Sequence, residues 1–87
     1  MRRAARLDAN HIEIKRAFER MGCDVIDLSK VGGSVPDLLV RVRSIDRWIL
    51  VEVKTAKGRI KPGQAAFAER WPVTVVRTVE DAIGALS

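Results

Sequence analysis

Two strand-forming stretches, DLLVRVR over Asp37–Arg43 and RWILVEVK over Arg47–Lys54, are separated by only Ser44, Ile45 and Asp46. A link of three residues is short enough for a β-hairpin, which is the expected arrangement of the middle of the sequence. Successive side chains of a strand point to opposite faces. Trp48, Leu50, Glu52 and Lys54 therefore share one face, and Ile49, Val51 and Val53 the other. On the preceding strand Asp37, Leu39, Arg41 and Arg43 share a face. Antiparallel pairing brings the start of one strand to the end of the next, and Asp37 can then stand opposite Glu52. Residues paired across a hairpin have a constant sum of residue numbers, which for this pair is 89. A two- or four-residue loop gives an odd sum and keeps Asp37, Glu52 and Lys54 on one face. A strict three-residue loop does not, unless a bulge restores the phase.

The flanks add helices and two further strands. From Asp8 to Met21 the apolar positions Ile14, Ala17, Phe18 and Met21 recur at spacings of three and four, the stripe of an amphipathic helix, with Asp8 as N-cap and Gly22 as the stop. Leu7, Asn10 and His11 extend that face backwards and put His11 at its border. Cys23–Leu28 is a first strand, and Gly32, Gly33 and Pro36 mark the loop that follows. After the hairpin comes a basic loop with Lys57, Arg59 and Lys61. Pro62 then opens a helix that Pro72 stops after Trp71. Val73–Arg77 is a fourth strand, and Thr78 with Asp81 has the spacing of a capping box for a last helix to Leu86. The order αβββαβα implies an α/β class, with a mixed four-stranded sheet flanked by helices. Eighty-seven residues have apolar material for one core, so residues 1–87 are expected to form one domain.

No apolar run approaches the length of a membrane helix, and Met1, Arg2 and Arg3 precede no signal-like segment, so the expected location is the cytoplasm. Cys23 is the only cysteine and His11 the only histidine, which leaves no internal disulfide and makes poor material for structural zinc. Sixteen Lys and Arg against eleven Asp and Glu give a net charge of +5. That surplus suits a polyanionic partner, though solubility alone would also explain it. Lys30, Arg41, Arg43, Lys57, Arg59 and Lys61 are spread over loops and strand positions around the presumed cleft. They could track phosphates or simply be solvated. Trp48 and Trp71 suit a core or an interface better than a stacking platform.

Two carboxylates converging with a lysine can hydrolyse a phosphodiester with a divalent cation. The acids offer hard oxygen ligands to Mg²⁺, and the ammonium stabilises charge or orients the nucleophile. A salt bridge between Glu52 and Lys54 on a solvated face would leave the same E-x-K pattern.

The segment Gly33–Val40 (GSVPDLLV), followed by Ile49–Lys54 (ILVEVK), Gln64 two residues beyond Pro62 and Val73–Asp81 (VTVVRTVED), resembles the PD-(D/E)xK nuclease superfamily. Within it the sequence is most similar to the minimal VRR-NUC-like proteins of phages and prophages, relatives in fold of Holliday junction resolvases. The likeness runs from Asp8 to Ala85. It implies a restriction-endonuclease-like core in which Asp37, Glu52 and the Val53 carbonyl hold Mg²⁺ or Mn²⁺ and Lys54 assists the attacking water. Gln64 matches a glutamine that touches the metal's water, the lysine or the phosphate, although three residues into its helix it could equally cap its own N-terminus. Lys30, Ser34, Lys57, Arg59 and Lys61 would face DNA. One departure is plain: such nucleases carry a glutamate on the first helix where this chain has His11, which makes His11 a candidate accessory group. The resemblance thus implies a phage- or prophage-encoded, metal-dependent DNA endonuclease acting as a homodimer in the cytoplasm of its bacterial host. A DNA-binding or assembly module that has lost turnover is the alternative.

Overall fold

The computed structural model describes residues 9–87, which run α1 (Ala9–Arg20), β1 (Cys23–Asp27), β2 (Leu38–Val42), β3 (Arg47–Val53), α2 (Pro62–Arg70), β4 (Val73–Val76) and α3 (Val79–Ala85). The expected N-cap, Asp8, and Leu7 lie outside the described residues. Every other boundary falls within a residue or so of the sequence expectation. The shift with consequences is at the hairpin, where Arg43 leaves the strand and joins Ser44, Ile45 and Asp46 in a four-residue loop.

That loop fixes the register. Leu38 pairs with Val51, Val40 with Ile49 and Val42 with Arg47, all at the sum of 89. Continued by one residue, the ladder sets Asp37 opposite Glu52. The sheet order is β1-β2-β3-β4, antiparallel through the first three strands and parallel between β3 and β4. The parallel pair needs a crossover, and α2 supplies it.

One face of the sheet is the core. Leu38, Val40 and Val42 of β2, Val51 of β3 and Val76 of β4 pack with Ile14 and Phe18 of α1 and Ala82 of α3. Removing Phe18 or Leu38, both fully buried, would cost on the order of 2–5 kcal/mol each. Gly22 ends α1 in the left-handed conformation at φ 88°, its N–H on the Glu19 carbonyl. At α3 the Thr78 hydroxyl accepts from Asp81 N–H at 3.0 Å. The Asp81 carboxylate reaches back past the N-cap to the Arg77 N–H at 2.9 Å.

The other face is less covered. Trp48 and Trp71 are each 56% exposed, which removes the core reading of both; Trp71 stacks on Phe67 at 6.2 Å.

Candidate active site

Asp37 follows the fully buried Pro36 at the entrance to β2. Its Oδ2 accepts a hydrogen bond from the Val53 N–H at 2.9 Å, so the last residue of β3 fixes the first carboxylate. Backbone groups alternate along a strand. The Lys54 N–H points to β4, donating to the Val76 carbonyl at 3.1 Å, and the N–H and C=O of Val53 therefore point to β2. There the register sets Val53 against Pro36, which has no N–H to offer. The Val53 carbonyl is left beside Asp37 without the strand partner another residue at 36 would give it.

Glu52 is 5% exposed and is held from two sides. Gln64 Nε2 donates to Glu52 Oε2 at 3.0 Å, and Lys54 Nζ lies 3.6 Å from the same oxygen, with the lysine side chain only 12% exposed. Burial, then the charge of Asp37 and a hydrogen bond with it, push the Glu52 carboxyl up to about 7, against the opposing pull of Lys54. Two carboxyl groups that cannot both ionise easily lack positive charge, and Lys54 supplies only part of it.

The Gln64 amide makes the helix-capping contact its sequence position allowed and, in place of the lysine, reaches the Glu52 carboxylate. Its Oε1 accepts the Lys61 N–H at 2.9 Å, closing the N-terminus of α2, while its Nε2 serves Glu52. A backbone N–H can only donate, so this orientation of the amide is forced.

Ser34 also lies beside this group. Gly32, Gly33 and Ser34 all have positive φ, and a Cβ at Gly63 would overlap the Ser34 hydroxyl, so the turn before Pro36 sits against the start of α2. Ser34, Pro36, Glu52 and Gln64 line a shared recess with Ile60 and Phe67. Lys57, Arg59 and Lys61 are exposed along the loop from β3 to α2, and Lys30 is exposed in the turn after β1.

Arg41 and Arg43 belong elsewhere, contrary to expectation. Arg41 pairs with Asp46 at 2.8 Å and Asp24 at 3.2 Å, and Arg43 bonds the Gly22 carbonyl at 3.1 Å. Both sit at the hairpin end of β2, roughly 13 Å or more along the strand from Asp37 at about 3.3 Å per residue. His11, 5% exposed, is brought to Asp27, with Nε2 2.9 Å from Oδ2, rather than to Asp37 or Glu52. Asp27 also accepts from the Ser29 N–H at 2.9 Å and hydroxyl at 2.5 Å. Burial pulls its carboxyl upward, but the Ser29 and His11 hydrogen bonds outweigh that and hold it at about 2.

Two residues with structural leverage here carry no spacing signal. Asn10 Nδ2 donates to the Lys54 carbonyl at 2.9 Å and to the Arg77 carbonyl at 3.3 Å. Arg77 Nη1 donates to the carbonyls of Thr55 at 2.7 Å and Gly58 at 2.8 Å. Donor and acceptor are far apart in sequence in every case, and only the fold brings them together.

Among the described residues no three His, Cys, Asp or Glu side chains gather as a metal site. What converges is two carboxylates, and the alternation of β3 turns the Val53 carbonyl toward the β2 side as well. An all-oxygen set fits Mg²⁺ or Mn²⁺ and offers nothing to ions that select thiolate or imidazole.

No protein-family model matches the sequence, and no curated protein matches it. A solved structure described as a VRR_NUC domain does match in fold. Its TM-score is 0.70 at 26% sequence identity, covering 91% of this chain and 96% of the solved one. The chain has a VRR-NUC-like nuclease fold, an α/β arrangement of three helices and a mixed four-stranded sheet, in keeping with the PD-(D/E)xK superfamily.

Proposed function

From its VRR-NUC-like nuclease fold and the convergence of Asp37, Glu52 and Lys54, we propose that this protein hydrolyses phosphodiester bonds of DNA with Mg²⁺ or Mn²⁺. The observation that carries the reading is the buried Glu52. Burial and the charge of Asp37 push its carboxyl up to about 7, and it lies 3.6 Å from Lys54, an acidic pair short of positive charge on a nuclease fold. Asp37, Glu52 and the Val53 carbonyl would hold the cation, which when bound supplies Lewis-acid activation and charge neutralisation at the phosphoryl group. Lys54 sets an ammonium where negative charge builds up on the phosphate. Gln64 keeps Glu52 turned toward the site, and the largely buried stem of Lys54 limits where its ammonium can go.

Lys57, Arg59 and Lys61, with Lys30 and Ser34, would hold the DNA backbone. The homodimer reading is supported by the exposed apolar residues Ile26, Trp48 and Trp71, and light scattering of the purified protein tests it. The phage or prophage origin and action in the host cytoplasm rest on the sequence resemblance. No helix among the described residues is long and apolar enough to cross a membrane.

The test is cleavage of a panel of linear and branched DNAs in Mg²⁺, in Mn²⁺ and in EDTA, with Asp37→Ala, Glu52→Ala and Lys54→Ala as controls. Metal-dependent cleavage lost in all three variants supports the reading, and full activity of Glu52→Ala removes it. The second reading, a binding module without turnover, draws on position 11, where the resemblance expects a glutamate and this chain has a histidine paired with Asp27. DNA binding with no cleavage of any substrate would favour it.

A further inference from the structure

The loop that carries Lys57, Arg59 and Lys61 is tied down at both ends. At its far end the Lys61 N–H is bonded to Gln64, which is bonded in turn to Glu52. At its near end the chain folds back on itself, Gly58 N–H donating to the Thr55 carbonyl at 3.0 Å, and Arg77 grips that turn from the end of β4. One guanidinium nitrogen reaches both the Thr55 carbonyl at 2.7 Å and the Gly58 carbonyl at 2.8 Å. The turn is tight, since a Cβ at Gly58 would come within 3.1 Å of the Thr55 hydroxyl and 3.3 Å of its backbone nitrogen. Arg77 is itself held. Its N–H donates to Asp81 at 2.9 Å, and its carbonyl shares the Asn10 amide with the carbonyl of Lys54.

These bonds link Lys54 and Glu52 to the basic loop along both of its ends. A free loop of this length would lose affinity to the cost of ordering each long side chain and its backbone on contact with DNA, and a loop already fixed avoids most of that cost. The Arg77 guanidinium faces carbonyl oxygens of its own chain, so its charge is used inward.

We propose that Arg77 is a positioning residue that presets the Thr55–Lys61 loop for binding DNA phosphates, acting through Lys57 and Arg59 rather than by touching DNA itself. The inference rests on the nuclease reading above. It separates positioning from charge, because Arg77→Lys keeps the charge on a side chain one bond shorter, whose ammonium falls short of the point from which Nη1 reaches both carbonyls.

The experiment is a double-mutant cycle on DNA affinity, measured in EDTA so that cleavage plays no part. Arg77→Gln and Arg77→Lys are each made in the wild type and in Lys57→Ala/Arg59→Ala. Both are expected to weaken binding by about five- to tenfold in the wild type, and by less than about twofold once Lys57 and Arg59 are gone. Full affinity in Arg77→Lys, or the same loss in both backgrounds, would mean that Arg77 acts as one more charge and would overturn the proposal. If Arg77→Gln does not fold, Arg77→Lys decides alone. Unchanged affinity in Lys57→Ala/Arg59→Ala would overturn it too, while metal-dependent cleavage by that variant would leave the nuclease reading standing.

Discussion

The amide of Gln64 joins the start of α2 to the buried carboxylate of Glu52, accepting from Lys61 N–H through its oxygen and donating to Glu52 Oε2 at 3.0 Å through its nitrogen. The two contacts can be separated by substitution. Gln64→Glu keeps an oxygen for the Lys61 N–H but turns the second contact into a meeting of two carboxylates. Gln64→Ala loses both. Cleavage is expected to fall roughly 10- to 100-fold in either, the usual consequence of removing a group that orients a metal-binding carboxylate. Stability distinguishes them: Gln64→Ala should lose about 1 kcal/mol for the missing cap at any pH. Gln64→Glu should lose stability only where both acids are ionised. Wild-type cleavage in Gln64→Ala would leave the glutamine a helix cap and nothing more.

Glu52 makes the metal-free protein sensitive to pH in a definite window. Folded, it keeps its proton up to about 7, whereas unfolded it releases it near 4.5. Between those values the unfolded chain binds fewer protons, so stability falls as pH rises from about 4.5 to about 7 and is level above that. Glu52→Gln removes the titration. Its advantage over the wild type should be small at pH 4.5 and grow to as much as roughly 3 kcal/mol by pH 8, measured by urea unfolding in EDTA. The acid loss that Asp27 introduces lies below 3.8 and does not overlap this range. A constant gap across pH would mean that Glu52 is not the group under strain.

Asp37, Glu52 and Lys54 were legible in the sequence because period-two alternation needs no tertiary information. Only the parity of the loop was open, and it turned on whether Arg43 ends the strand or begins the turn. Its guanidinium answers the Gly22 carbonyl across the sheet, a contact no local pattern contains. The same limit hid Arg77 and Asn10 and misplaced Arg41, whose partners Asp24 and Asp46 become neighbours only once β1, β2 and the hairpin are assembled. Gln64 was legible as a choice between two roles. The chain places Lys61 and Glu52 on either side of one amide, so the cap is made and the second contact goes to the Glu52 carboxylate, a partner that neither role had named.

The basic loop should set the salt dependence of DNA binding. If Lys57, Arg59 and Lys61 each neutralise a phosphate, replacing all three with Ala should flatten the log–log salt slope by about 2 to 3 units. Binding should persist in EDTA, since these contacts need no cation between carboxylate and phosphate. The measurement is a titration of labelled DNA at several salt concentrations. An unchanged slope would make the three side chains solvated charges.

At position 11 the sequence resemblance and the structure pull in different directions, and substitution can decide between them. Glutamate there would restore the carboxylate expected on the first helix, yet the site is 5% exposed and Asp27 Oδ2 stands 2.9 Å from the present imidazole nitrogen. His11→Glu therefore sets two acids against each other in a buried place, at a cost on the order of 1–3 kcal/mol at neutral pH. Asp27→Asn turns the repulsion into a hydrogen bond, so His11→Glu/Asp27→Asn should regain most of that loss. His11→Gln, which can still donate to Asp27, should stay within about 1 kcal/mol of the wild type. Because the side chain at 11 is directed to Asp27, neither glutamate variant is expected to cleave faster in Mg²⁺. Thermal unfolding and cleavage measured on the same four proteins read the two effects separately. A several-fold gain in Mg²⁺-supported cleavage by His11→Glu/Asp27→Asn would instead mean that a carboxylate at position 11 reaches the cation, and that the Asp27 contact is what withholds it.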